Sequence, residues 1–313
     1  MDSHEDREHR TNRLLIGAFV ALLLIVTAVA LPRMANGSVL TYERTAPRDP
    51  GTRYLKGMSP RDLGPENAER AILFVHGFSG SPTNYNDLPD WIARDGWRVR
   101  CMTVPGHCTS PSDFEKATGQ EMLEGVLAEV RALKAKYKTV VIAGHSLGGC
   151  LVTLAAAREP VDALILYAPF FGLTRDDASS IKTATIVNAI SKVVRWAPRG
   201  GDTTQPVAYA PNRKFIRSYE WIPAQAGLTA LGLGEQLNAE APMKNITCPV
   251  LLIHSLGDRV NSPRAAAKAF EEFPNPKKRA FYPVKSDHIL FWDYDRLPTI
   301  YETRAFLDRV FPA

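Results

Sequence analysis

The 313-residue sequence predicts an α/β fold with a mostly parallel central sheet, helices on both faces and an inserted helical cap. Three observations carry this reading. Short apolar runs of strand length alternate with amphipathic helical stretches. One such strand leads directly into a small-residue turn, Gly144-His145-Ser146-Leu147-Gly148-Gly149. The alternation fails in a single stretch, about 172–241, as an insertion over the sheet would require.

Composition bounds the problem first. With 45% hydrophobic and 23% charged residues the chain can bury a sizeable core, which sets disorder aside. The net charge of +5 is scattered, and the densest patch, Lys277-Lys278-Arg279, is too short for a nucleic-acid arm, so no nucleic-acid partner is expected. Four cysteines without C-x-x-C spacing indicate neither a zinc site nor a redox pair, and no metal is expected. Cys150 and Cys248 sit in apolar runs and read as buried thiols. Cys101 and Cys108 are near enough in sequence to pair in an oxidising compartment, and spacing alone leaves that open.

From the N-terminus, Leu14 to Leu31 carries no charge and is near the lower length limit for a membrane-spanning helix. Arg7, Arg10 and Arg13 precede it, which by the positive-inside rule makes 1–13 a cytoplasmic tail and 14–31 a transmembrane signal anchor. The remainder would then be membrane-anchored and extracytoplasmic, periplasmic or extracellular. Ala28-Val29-Ala30 fits a small-x-small cleavage site, so a cleaved signal peptide and a secreted protein stay open. A polar, proline-rich linker (32–57) follows, and 58–313 reads as the catalytic domain.

Within that domain Ala71–Val75 is a continuous apolar run suited to a strand buried on both faces. A helix around 85–94 and a strand at 97–104 come next. Met122, Val126, Leu127, Val130, Leu133 and Tyr137 form the apolar stripe of a helix over 119–137. Further strands are expected at 139–143, 163–167, 250–254 and 279–284, and a last helix at 297–310. In the cap, 181–196 and 212–221 read as helical.

The turn at Ser146 lies between a strand and a helix (150–158), the context in which G-x-S-x-G forms a nucleophile elbow. Glycines at 144 and 148 leave room for the crossing backbone, and the new helix aims its N-terminal amides at the site. A serine hydroxyl needs a base, and the base needs an acid to orient it. Asp258 follows the 250–254 strand and His288 follows the 279–284 strand, in the order Ser, Asp, His that this architecture uses. Asp287 competes as the acid, although its adjacency to His288 points it elsewhere. The loop His76-Gly77-Phe78-Ser79-Gly80-Ser81-Pro82 should supply one oxyanion amide, Phe78, with Leu147 supplying the other. His76 reads as a structural histidine that bonds this loop.

The HGFSGSP, VPGH, GHSLGG, GD-x-x-V and SDH segments together resemble the α/β-hydrolase superfamily, nearest to bacterial carboxylesterases and monoacylglycerol lipases, from about Glu69 to the C-terminus. The resemblance implies cofactor-free hydrolysis of a small ester or lipid substrate through an acyl-enzyme, with Ser146, Asp258 and His288 as triad and Phe78 and Leu147 as oxyanion donors. Cys108 departs from the glycine that many relatives carry after PGH. Other acyl-transfer chemistry on the same triad (thioesterase, amidase, acyltransferase, perhydrolase) and a non-catalytic binding module are the rival readings.

Overall fold

A computed structural model describes residues 32–201 and 204–312. Its core is a seven-stranded sheet made of β1 (Arg61–Leu63), β2 (Arg70–Val75), β3 (Arg98–Met102), β4 (Thr139–His145), β5 (Ala163–Tyr167), β8 (Val250–Ile253) and β9 (Arg279–Phe281). The order across the sheet is β1-β3-β2-β4-β5-β8-β9, and every pairing is parallel except β1 with β3. Helices α2 (Leu88–Arg94), α3 (Pro111–Lys116), α4 (Gly119–Lys134), α5 (Leu147–Ala156), α9 (Pro263–Glu271) and α10 (Arg296–Val310) connect or cover the strands.

The central strands β2, β4, β5 and β8 are apolar nearly throughout because both their faces are covered. Ile72, Phe74, Val141, Ile165 and Leu251 pack with residues of α2 and α10. Their neighbours Leu73, Val75, Ile142, Leu166 and Leu252 point the other way, toward α4, α5 and α9. Period-two alternation is therefore present but carries no polar signal. Helix starts follow local chemistry. Thr118 and Glu121 form a reciprocal capping box at α4, and Ser262 caps α9 with Pro263 in its first turn.

Register brings the chemistry to one edge. Val75, Gly144, Leu166 and Leu252 are successive partners across β2, β4, β5 and β8. The loops that follow these strands, and the one after β9, thus emerge side by side at the carboxyl edge, where α/β sheets bind ligands.

Several expectations need correction. Residues 32–45, expected as linker, form a helix (α1) held by tertiary contacts: Val39 is buried, Tyr42 packs on the main core, and Asn36 Oδ1 accepts from Trp196 Nε1 at 2.6 Å. No helix among the described residues is long and apolar enough to cross a membrane. The run Leu14–Leu31 lies outside the described residues, and the membrane-anchored, extracytoplasmic placement drawn from it does not stand. Cys101 and Cys108 belong to core clusters on opposite faces of the sheet, and all four cysteines are free.

Between β5 and β8 the chain builds α6 (Thr174–Ala178), α7 (Thr183–Ser191), β6 (Trp196–Pro198), β7 (Trp221–Pro223) and α8 (Ala224–Glu240). β6 and β7 pair antiparallel, so the cap is not wholly helical. The 212–221 stretch is a short 3-10 turn (Ala210–Phe215) followed by extended chain. The cap's longest helix, α8, had no sequence signal: Gly227, Gly232 and Gly234 lower its intrinsic propensity, and tertiary packing overrides them. A Cβ at Gly234 would lie 2.8 Å from the Phe170 ring, so glycine there admits close packing.

Three histidines are buried under the site loops. His76, at the end of β2, accepts from the Val104 amide at Nε2 (3.1 Å) while its Nδ1 faces Gly77 O at 3.0 Å. Burial lowers its pKa from 6.5 to about 4, and those of His107 and His145 to about 3. All three are neutral in the native protein at neutral pH. As pH falls, the unfolded chain takes up protons near 6.5 and the folded chain does so only near 4 and 3, so stability present above 6.5 is lost below it. Denaturant unfolding should show the protein less stable at pH 5.5 than at pH 7 by on the order of 3 kcal/mol. Equal stability at the two pH values would mean that these rings are charged, or free to charge, in the fold.

Candidate active site

The nucleophile candidate sits where backbone space is shortest. Ser146 stands between β4 and α5 with φ 56° and ψ −120°, a conformation that costs a non-glycine residue free energy. Its amide donates to Tyr167 O at 3.0 Å. A Cβ at Gly148 would fall 2.0 Å from Val75 O, one at Gly144 2.3 Å from Gly148 O, and one at Gly77 2.8 Å from Ser146 Cβ. The elbow therefore packs directly on the end of β2 and on the loop that follows it. Glycine is required at these crossings because any side chain would push the two loops apart.

Asp258 and His288 arrive from the loops after β8 and β9. His288 Nδ1 and Asp258 Oδ2 are 2.8 Å apart, both residues buried. Asp258 Oδ1 accepts from the amides of Val260 (2.8 Å) and Asn261 (2.9 Å), and Oδ2 also meets His254 Nε2 at 3.0 Å. Burial pushes this carboxyl up, but the charge and hydrogen bonds of His288 and His254 outweigh it and hold the pKa well below the usual carboxylate range. Asp258 is thus ionised at any working pH. Asp287 turns the other way, accepting from the Arg259 amide at 3.0 Å and pairing with the Arg259 guanidinium.

Ser146 and His288 line one cavity of about 270 Å³ together with Gly77, Phe78 and Ser79. Among the described residues the Ser146 hydroxyl is met by Asn261 Nδ2 at 3.4 Å, which also donates to Ala168 O at 2.8 Å, and no hydrogen bond joins it to His288. Serine–histidine pairs are often apart without substrate and tighten when it binds. The backbone amides of Phe78 and Leu147 make no hydrogen bond among the described residues. Leu147 opens α5, whose N-terminus favours negative charge.

Four side chains at the site escaped the sequence reading. His145, the variable residue of the elbow, faces the carbonyl of His288 with Nε2 at 3.1 Å and so ties the elbow to the loop carrying the histidine. His254 lies four residues before Asp258 at the end of β8, and that spacing was its only signal. Asn261 touches Ser146 from the Asp258 loop. Arg199, from the cap, donates through Nη1 to Ser79 Oγ and Ser218 Oγ and through Nη2 to Gln205 Oε1 (2.9 Å). It lies in the part of the chain where sequence periodicity fails.

With this geometry in place, similarity to known proteins is informative. The Hydrolase_4 family model, described as serine aminopeptidase, S33, matches residues 66–295. A thermostable monoacylglycerol lipase from Bacillus sp. (strain H-257) is 28% identical over 240 residues, 76% of this chain and 89% of that protein. One of two metagenome-derived lipolytic enzymes superposes with a TM-score of 0.71 at 21% identity, covering 82% of this chain and 99% of that one. A soluble variant of monoglyceride lipase from Saccharomyces cerevisiae gives a TM-score of 0.69 at 16% identity, covering 81% and 92%. These two structures show the α/β-hydrolase fold, and since the family model covers most of the chain, the protein belongs to the serine aminopeptidase (S33) family of α/β-hydrolases.

Proposed function

We propose that the chain hydrolyses carboxylic esters, monoacylglycerol-like lipids or smaller esters, through an acyl-enzyme formed on Ser146. The observation that carries this reading is the 2.8 Å contact between His288 Nδ1 and an ionised Asp258, in the same cavity as a serine on a strained elbow. Asp258 holds the proton on Nδ1 and leaves Nε2 free to take the hydroxyl proton of Ser146 as it attacks the ester carbonyl. The imidazolium that forms is stabilised by the same carboxylate, then protonates the departing alcohol. The Phe78 and Leu147 amides receive the developing oxyanion, helped by the dipole of α5. Water repeats the sequence on the acyl-enzyme, with His288 again as base.

Esters are favoured over peptides by the charge of the cavity. An aminopeptidase has a substrate ammonium to hold, yet among the described residues the lining carries Arg199 and Arg217 and no carboxylate. Phe78, Ile216, Ile222, Val260 and Ile289 supply apolar walls suited to an acyl or alkyl group. The monoacylglycerol lipase relative supports the same reaction class.

Ser146→Ala should abolish labelling by a fluorophosphonate probe and lower kcat by at least about 10³-fold on a p-nitrophenyl ester. Labelling that survives the substitution would place the nucleophile elsewhere. Asp258→Asn should fold normally and lose roughly 10⁴ in kcat, because the imidazole is then held in the wrong tautomer. A loss below about tenfold, read by steady-state kinetics, would mean that Asp258 does not orient the base.

A further inference from the structure

Arg199 lacks the pairing that six other arginines of this protein share, and unlike Arg48, Arg70 and Arg213, whose guanidinium groups meet backbone carbonyls, it lines the cavity of Ser146. Arg100, Arg195, Arg259, Arg279, Arg296 and Arg304 each set Nε and Nη2, the two-pronged edge of the guanidinium, against one carboxylate. That edge matches the spacing of two oxyanion oxygens. Arg199 forms no ion pair among the described residues, and its Nε has no acceptor there. Its partners among the described residues are two serine hydroxyls and an amide oxygen, all neutral. Burial lowers its pKa to about 10, which still leaves it charged at neutral pH. A half-buried cation with only neutral partners is costly to keep unless something anionic completes it.

Its location says what that would be. Arg199 lines the cavity of Ser146 and His288, and it also lines a second cavity of about 460 Å³ in the cap. The two share Arg199, Ile216, Arg217 and Ser218 as a common wall. Arg217 makes no ion pair among the described residues either, and Lys214 and one carboxylate, Glu220, also line the second cavity. The wall that the cavities share carries two cations, and it lines the same cavity as Ser146.

We propose that Arg199 is a specificity-determining residue that binds an oxyanion, carboxylate or phosphate, carried by the ester substrate itself. This rests on the esterase reading above. On the acyl side the oxyanion would be the free carboxylate of a dicarboxylic hemiester; on the alcohol side it would be the phosphate of a glycerophosphate ester. In either case Arg199 binds without entering the covalent steps.

Two matched pairs test this on the full chain by kcat/KM. p-Nitrophenyl hemisuccinate against p-nitrophenyl valerate places a carboxylate on the acyl side. Monohexanoyl glycerol 3-phosphate against monohexanoyl glycerol places a phosphate on the alcohol side. The wild-type protein should favour the anionic member of one pair at least tenfold, and which pair responds identifies the source of the oxyanion. Arg199→Met should collapse that ratio, and Arg199→Lys, which keeps the charge but not the fork, should restore part of it. An Arg199 that merely latches the cap to the Ser79 loop would lower both members of a pair equally on substitution, which would overturn the proposal. So would a wild-type preference for the neutral member of both pairs. Should Arg199→Met fail to fold, Arg217→Met decides: a retained ratio supports Arg199, and a lost one transfers the oxyanion to Arg217 and overturns the assignment. Turnover of neutral esters without any anionic preference removes the oxyanion site alone. A lack of turnover on all four esters removes the esterase reading together with it.

Discussion

The structure depends on one crossing of backbones, where the start of α5 passes within van der Waals contact of the end of β2. A Cβ on Gly148 would meet Val75 O at 2.0 Å, so the two chains touch without side chains between them. That contact holds Ser146 at positive φ and lifts its side chain off the sheet edge toward the loop after β2. It also sets Gly77 of the loop after β2 and the N-terminus of α5 against the same residue. The glycines are therefore determined by distance: the site exists only where two loops can approach this closely. Their cost in chain entropy is offset by a core in which the central strands are buried on both faces.

Around this crossing the charges are arranged asymmetrically. Asp258 receives four hydrogen-bond donors, two from backbone and two from imidazoles, and is buried in their midst. A buried carboxylate without such partners would protonate; this one is held ionised by them. The other buried histidines work in the opposite sense. His76 and His145 are neutral spacers that bond loop carbonyls and amides, and they add no positive charge beside His288 at neutral pH. Removing one imidazole from this cluster would change the field at the others, so their contributions are not additive.

Legibility in the sequence tracked periodicity and locality. β2, β4, β5 and β8 were readable because an apolar run of strand length, bounded by turn residues, has few other structures open to it. Ser146 stands out as a candidate because the elbow is a local motif, and Asp258 and His288 because each lies in the loop after a strand candidate, in the expected chain order. What was not readable depends on tertiary contact. The β1 edge strand is three residues long and charged, α1 is ordered by packing on the cap and core, and α8 carries three glycines that argue against a helix until its neighbours are known. His254 and Asn261 gain their significance only when the loops after β8 and β9 are brought together. Cys101 and Cys108 show the same limit from the other side, since seven positions in sequence place them on opposite faces of a sheet.

The cap poses the remaining physical question, because it sets what the serine meets. Its longest helix, α8, packs Ala226, Leu233 and Leu237 into the main core, but its other elements are short helices and a three-residue strand pair, which contribute little stability of their own. Side-chain bridges also hold it down: Trp196 to Asn36 of α1, Arg195 to Glu115 of α3, and Ser218 with Arg199 to Ser79 of the loop after β2. The last of these joins the cap to the residue beside the Phe78 amide, itself at positive φ. Ser79 thus ties the cap to the loop after β2, and a group that drew on the Arg199 guanidinium from inside the cavity would act on that tie, because the same nitrogen that meets Ser79 meets Ser218 of the cap.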